Sequence, residues 1–312
     1  MKLKKISLKL LFLVGLMSCL TSVSHAQLKD VGKILQSSKE DANTLVKEYL
    51  KPFGSGFGAD LNTGWTNTAK THKKLGFDIT VSAALAIVPG SDKTFDVNQI
   101  GLQELEVKNG PSTLQTINGS NNAPTTTLAA YSNTDYNNDG QPDELFEFNM
   151  PDGTGFGYAP APQIKAGIGL IMDTDLMLRY VPKVSIKDYG TFQQFGVGLK
   201  HSINQWLPGG KLLPVDLSIM AGYTSQKVSS PFQLTGEDVA GNNPDIQNNY
   251  SPGTWDGQKI QINTDAFTFN ALVGKTLPVI SIYGGIGFET SSMSISTPGV
   301  YPSIETNQNY NP

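Results

Sequence analysis

The stretch that most constrains this chain is Gln163 to Val181, QIKAGIGLIMDTDLMLRYV. Ile164, Ala166, Ile168, Leu170 and Met172 fall on one side of a period-two pattern. Gln163, Lys165, Gly167 and Gly169 fall on the other, with Ile171 the exception. Asp173-Thr174-Asp175 reads as a turn, after which Leu176, Leu178 and Tyr180 resume the first face and Arg179 takes the second. Successive strand side chains point to opposite faces, so this is an antiparallel hairpin with one apolar face and one polar or tiny face. Two folds can use it. In a soluble sandwich the apolar face is core; in an outer-membrane barrel it meets lipid and the polar face lines the lumen.

Strand signals recur on both sides of the hairpin. Leu75 to Val88 alternates Phe77, Ile79, Val81, Ala83, Leu85 and Ile87 with small or polar partners, and Pro89 to Asp92 is a turn. Phe192 to Asn204, Leu213 to Lys227, Gln258 to Val273 and Pro278 to Ser296 complete the stronger set. Gly56 to Lys70 and Thr94 to Val107 are weaker candidates. That makes about nine strands or more. The alternation places Ile164, Ile168, Leu170, Leu217, Ile219 and Tyr223 on the apolar face.

The connections carry a second signal. Pro89 to Asp92, Asp173 to Asp175, Leu207 to Lys211 and Gly274 to Thr276 are short and fall at every second connection. The long ones are 108–160 and 228–257, rich in Asn, Thr, Gly and Pro. Short turns at one rim and long loops at the other are how outer-membrane barrels are built, and a sandwich has no reason to segregate them. The fold expected is therefore an all-β, antiparallel transmembrane barrel over residues 55–296, with lipid as partner. An odd strand count and a loop-like tail at 297–312 mean that a strand is uncounted or that a closing strand is missing at the C-terminal end.

Residues 1–26 read as a secretory signal: Lys2, Lys4, Lys5 and Lys9, then an apolar run from Leu10 to Leu16, then Ser24-His25-Ala26. The run is about half the ~20 residues that a membrane-spanning helix needs. The competing reading is a lipoprotein signal, with Cys19 after Leu16-Met17-Ser18. Cleavage after Ala26 leaves 19 basic and 27 acidic residues, a net charge of −8, which speaks against nucleic acid as a partner. The location expected is the outer membrane of a Gram-negative cell. Residues 27–54 are expected to hold one helix, with apolar residues at helical spacing from Val31 to Leu50 and a stop at Pro52 and Gly54. That helix either caps the domain or plugs the barrel.

LPVDLSIMAGYTSQ, APAPQIKAGIGL and DTDLMLRYVPK together resemble a poorly characterised family of Gram-negative outer-membrane barrels, distantly similar to the FadL/TodX-type long-chain fatty-acid transporters. The resemblance covers roughly residues 50–290. It implies a barrel, a periplasmic N-terminus and passage or binding of small hydrophobic or amphipathic molecules. The alternative is a surface barrel that binds partners, or plays a structural role, through its long outer loops.

One loop has metal-ligand spacing. Asp135, Asn137, Asp139, Gln141 and Asp143 stand at alternate positions around Gly140, as oxygen donors do in calcium loops. Phe146 stands where a bidentate Glu would be expected, so Asp143 or Glu144 would have to complete the shell. The other reading is a solvated Asx turn. No enzyme is expected: His72 and His201 are the histidines left after cleavage, and Ser202 beside His201 points to the opposite strand face. Trp65, Trp206, Tyr180, Tyr189, Tyr223 and Tyr283 are candidates for an interfacial aromatic belt or ordinary strand aromatics.

Overall fold

A computed structural model describes residues 34, 37–132, 135, 138–186, 190–231 and 257–299. The segment expected to be a signal, residues 232–256 of the second long loop, most of the tail, Asn137 and Tyr189 lie outside the described residues.

Seven strands form one antiparallel sheet in the order β1-β7-β8-β9-β10-β11-β12. They are β1 (Phe77–Ile87), β7 (Tyr158–Gly169), β8 (Thr174–Ile186), β9 (Gly190–Ser202), β10 (Asp216–Pro231), β11 (Lys259–Thr276) and β12 (Ser281–Ser296). The sheet curls into a half-barrel, consistent with the all-β antiparallel barrel expected. Register lines up the apolar residues of the alternating stretches on the convex side: Ile79 faces Ala166, Leu178 faces Val197, and Ile219 faces Ala271.

Two of the nine expected strands are not in this sheet. Gly56 to Lys70 is the end of the helix followed by a strandless stretch. Thr94 to Val107 is broken by a 3-10 turn at Val97–Gln99 and by Gly101 at φ 74. Its pieces are β2 (Thr94–Asp96) and β3 (Leu105–Asn109). β2 pairs with β4 (Thr113–Gln115), and β3 joins β5 (Thr127–Tyr131) and β6 (Glu144–Asn149) in a three-stranded sheet. The insertion is thus 88–157, longer than the 108–160 loop expected, because β1 pairs directly with β7. Pro89 to Asp92 accordingly belongs to the long-loop rim. The turns after β7, β9 and β11 share the opposite rim.

The helix α1 (Lys39–Asn62) starts at Ser38, whose hydroxyl accepts the Asp41 N–H, and Glu40 and Asp41 suit the positive first turn. It does not stop at Pro52. Proline removes one intrahelical hydrogen bond and clashes with the preceding turn, which makes it a natural stop in an isolated helix. Here the helix runs on because its second half is enclosed by the sheet. A Cβ on Gly54 or Gly58 would overlap Met293 or Ser291 of β12, and one on Gly56 would overlap Ala159 of β7. The glycines that weaken the helix locally are the ones that let it fit.

Two cores result. The first half of α1 (Ala42, Leu45, Val46, Tyr49, Leu50) packs with Leu105, Leu114, Leu128 and Phe148 of the insertion. Deeper in the half-barrel, Trp65, Ala69, Met177, Met220 and Leu272 form a smaller cluster.

Candidate functional site

The concave face of the sheet carries the polar half of the patterns of β7 to β11. Gln163 and Lys165 of β7, Asp175 and Arg179 of β8, Gln194 and Lys200 of β9, Ser218, Thr224 and Gln226 of β10, and Thr264 and Thr268 of β11 are all buried. They are covered by α1 and by the strandless segment 63–76 that follows it, so this segment is a plug.

The plug is held through its backbone. The Lys165 ammonium donates to the Trp65 carbonyl at 2.9 Å, and Lys200 donates to that of Lys70 at 2.8 Å. Arg179 donates to the Leu61 carbonyl at 2.7 Å and to that of Thr63. The Gln163 amide donates to the Asp60 carbonyl at 2.7 Å. Three cations of the wall therefore meet neutral acceptors. Lys200 also has a carboxylate, Asp175, at 3.1 Å, and Lys165 has Asp78 at 3.8 Å. Arg179 is 0% exposed and has no ion pair among the described residues. Asp175 accepts the His72 backbone N–H at 2.8 Å, and the His72 ring lies between Asp175 at 3.1 Å and Asp78 at 3.4 Å.

Trp65 is the apolar anchor. It is 1% exposed, and a Cβ on Gly196, Gly198 or Gly222 would press on its indole. Glycine at inward positions of adjacent strands leaves a groove in the wall, and the tryptophan fills it. The Arg179 guanidinium caps the ring at 3.9 Å from its centre. Trp65 is thus no belt residue, and Tyr283 also turns inward, donating to the Thr66 carbonyl at 3.2 Å. The missed signal was the glycine at Gly196, Gly198 and Gly222. Several buried atoms around the plug make no hydrogen bond among the described residues: Asp60 Oδ2, Trp65 Nε1, Arg179 Nε, Gln163 Oε1 and Gln194 Oε1. Burial pushes the carboxyl of Asp60, on α1, up to about 7, against the pull of the Ala86 N–H that it accepts.

The convex face is the opposite. Tyr180 pairs with Phe195, Tyr223 with Phe267, and Phe269 with Phe288, giving an aromatic row across β8 to β12. Toward the long-loop rim the outward residues turn polar: Gln193, Lys227, Asn263, Ser292 and Ser294. Toward the short-turn rim they stay apolar into the turns, where Ile171, Met172, Trp206, Leu213, Leu277, Val279 and Ile280 are exposed. From Phe267 to Leu277 the chain climbs about 25 Å at ~3.3 Å per residue and the usual barrel tilt, the height of the apolar band of such barrels.

The metal-spaced loop is partly described. Asp135 accepts the N–H groups of Asp139 at 3.2 Å and Gly140 at 2.8 Å, and Asp139 accepts that of Gln141 at 2.8 Å. Asn138 and Gly140 have φ of 57 and 84, so the chain turns tightly here. Among the described residues no group of three or more His, Cys, Asp or Glu is placed to hold a metal ion. His201 is not set up as a base toward Ser202; its ring meets Thr174 at 2.8 Å and the Trp206 N–H at 2.8 Å.

A curled antiparallel sheet with an apolar outside, a polar inside and a helical plug is the architecture of a β-barrel-like protein. No helix among the described residues is long and apolar enough to cross a membrane, which says nothing of strands. The chain belongs to a family of unknown function, DUF6588, whose model matches residues 3–312. No curated protein and no solved structure matches it. The likeness to long-chain fatty-acid transporters therefore rests on the sequence pattern alone.

Proposed function

We propose that this is an outer-membrane protein that binds, and passes when its plug moves, small amphipathic molecules. The observation that carries this is the wall of Lys165, Arg179 and Lys200 meeting backbone carbonyls of the plug. A charged donor bound to a neutral carbonyl gains more from an anionic acceptor. The polar end of a cargo competes with the plug for these donors, and its apolar part replaces Trp65 in the glycine groove. The polar lining makes an amphipathic cargo a better fit than a wholly apolar one. The apolar belt and aromatic row support the membrane setting, and the N-terminal signal supports export.

The test is reconstitution of the full chain in lipid vesicles with a fluorescent single-chain carboxylate as probe. Saturable binding that weakens in Lys200→Gln, and faster uptake in Trp65→Ala, are expected. Neither binding nor uptake above empty vesicles would sink the reading. A second reading, surface binding through the outer loops, is favoured by one observation: the insertion is folded into two small sheets packed on α1.

A further inference from the structure

β8 shifts register against β9 on the way to the long-loop rim. Val181 faces Gln194 and Val184 faces Phe192, so Pro182 and Lys183 together stand against Gln193. An extra residue bends a strand and re-aims its side chains, and proline, with no N–H to give, suits such a place. A surface pocket of about 230 Å³ lies at this kink, lined by Tyr180, Lys183, Gln193, Phe195, Ser225 and Lys227. It opens on the convex side, because Tyr180 and Phe195 are exposed while the alternate residues Val181, Gln194 and Gln226 are buried. Whole-ligand pockets commonly enclose roughly 300–1,000 Å³, so this one takes a group and leaves the rest of the molecule outside.

The charge in the pocket is positive. Lys227 faces Gln193 from β10, so the two lysines flank that residue. Their Cα atoms stand about two strand spacings apart, roughly 10 Å. Flexible four-carbon stems let two ammonium groups at that spacing close on one anion. Neither ammonium has an ion pair among the described residues. Asp265 faces Ser225 from the next strand, and the Tyr223 hydroxyl donates to it at 2.8 Å.

Height on the wall selects the anion. Tyr180 and Phe195 belong to the aromatic row, and Gln193 and Lys227 come two residues further along, about 5 Å beyond it at the usual strand rise and tilt. Aromatic belts sit at the level of lipid headgroups, so charges just past them meet headgroup phosphates. On the other side of the row Leu178, Val197 and Tyr223 pair across β8 to β10 and are exposed, an apolar track for a chain.

We propose that this pocket holds the phosphate of a membrane lipid, with Lys183 and Lys227 on its oxygens, Gln193 donating between them and an acyl chain along Leu178 and Val197. The inference rests on the membrane setting proposed above. Charge-assisted bonds to phosphate are roughly twice as strong as neutral ones, and basic pockets beside a membrane take lipid headgroups.

The full chain, folded in dodecyl maltoside micelles, is titrated with dioleoyl phosphatidic acid, and bound lipid is counted by native mass spectrometry. One lipid per chain should bind, about tenfold or more tighter than dioleoyl phosphatidylcholine. Lys183→Gln combined with Lys227→Gln should weaken it by about tenfold or more, and Lys275→Gln, an exposed lysine of the short-turn rim, by less than about twofold. Glycerol phosphate, the headgroup without chains, should not displace the lipid even in large excess. Four results overturn the proposal: equal affinity for phosphatidylcholine; no loss in the double variant; an equal loss in Lys275→Gln; or displacement by glycerol phosphate, which makes this a free-anion site. A chain that folds in micelles and passes the carboxylate test but gives any of these loses this inference alone. A chain that folds only without detergent or lipid loses the membrane setting with it.

Discussion

The guanidinium of Arg179 lies 3.9 Å from the centre of the Trp65 ring, and both side chains are buried. Arg179 belongs to the wall and Trp65 to the plug, so one contact joins the two. A desolvated cation on an indole contributes about 2 kcal/mol. The same guanidinium satisfies the carbonyls of Leu61 and Thr63, which lie where the helix ends.

Replacing Arg179 with Met should therefore loosen the plug by about 2–4 kcal/mol, through the lost ring contact and the unpaired carbonyls. The measurement is the rate of protease cleavage within 63–76 in the folded protein. Faster cleavage is expected, with Arg179→Lys in between. Cleavage at the wild-type rate in both variants would show that this contact does not hold the plug.

Gly56→Leu tests the fit of the helix. The new side chain has Ala159 in its way, and overpacking a filled site costs typically about 1–3 kcal/mol. Lys51→Leu, at an exposed position of the same helix, should be near neutral. Equal thermal stability of the two variants would count against the enclosed helix.

The outward face is tested by arginine. Ile219 faces Ala271 in the middle of the apolar belt, and Ile219→Arg should cost roughly 2–4 kcal/mol in folding into lipid vesicles. Ser229→Arg, beyond the aromatic row, should cost about 0–1 kcal/mol. Similar losses at both positions would argue against a lipid-facing belt.

Asp60 gives the plug a pH dependence. Its carboxyl rises from 3.8 to about 7 because burial disfavours the charged form. Between these values the folded state holds a proton that the unfolded state has released. Stability should fall as pH rises from 3.8 to about 7, and level off above. Asp60→Asn should flatten this slope in urea unfolding monitored by Trp65 fluorescence. A slope unchanged by the substitution would assign the effect to other groups.

Calcium binding is expected of the loop around Asp139, through Asp135, Asn137, Asp139, the Gln141 carbonyl and Asp143, at affinities of roughly 0.1–1 mM. Asp139 already closes part of the turn by accepting the Gln141 N–H. Calorimetric titration should give heat with the parent protein and none with Asp139→Ala. Equal heats from both, or none from either, would leave an Asx turn. Chelation should loosen this loop and leave β7 to β12 intact.

Alternation is a local property, so the sequence by itself determined which side of β7 to β11 is polar. Ile164 and Ile219 against Lys165 and Arg179 could be assigned without any knowledge of neighbours. It also determined the hairpin turns after β7 and β11, and the family resemblance followed from the same runs. Residues far apart in the chain decided the rest. Only the pairing of Ala83 with Pro162 shows that residues 88–157 form one insertion. Pro52 and Gly54 read as a helix stop, because propensity counts only what a residue does to its own helix; the enclosing sheet overrides it, packing Ala159 and Ser291 against Gly56 and Gly58. Trp65 read as either a belt aromatic or an ordinary strand aromatic; its place shows only with the strands carrying Gly196, Gly198 and Gly222 side by side. A groove made by missing side chains on neighbouring strands has no trace in any one of them.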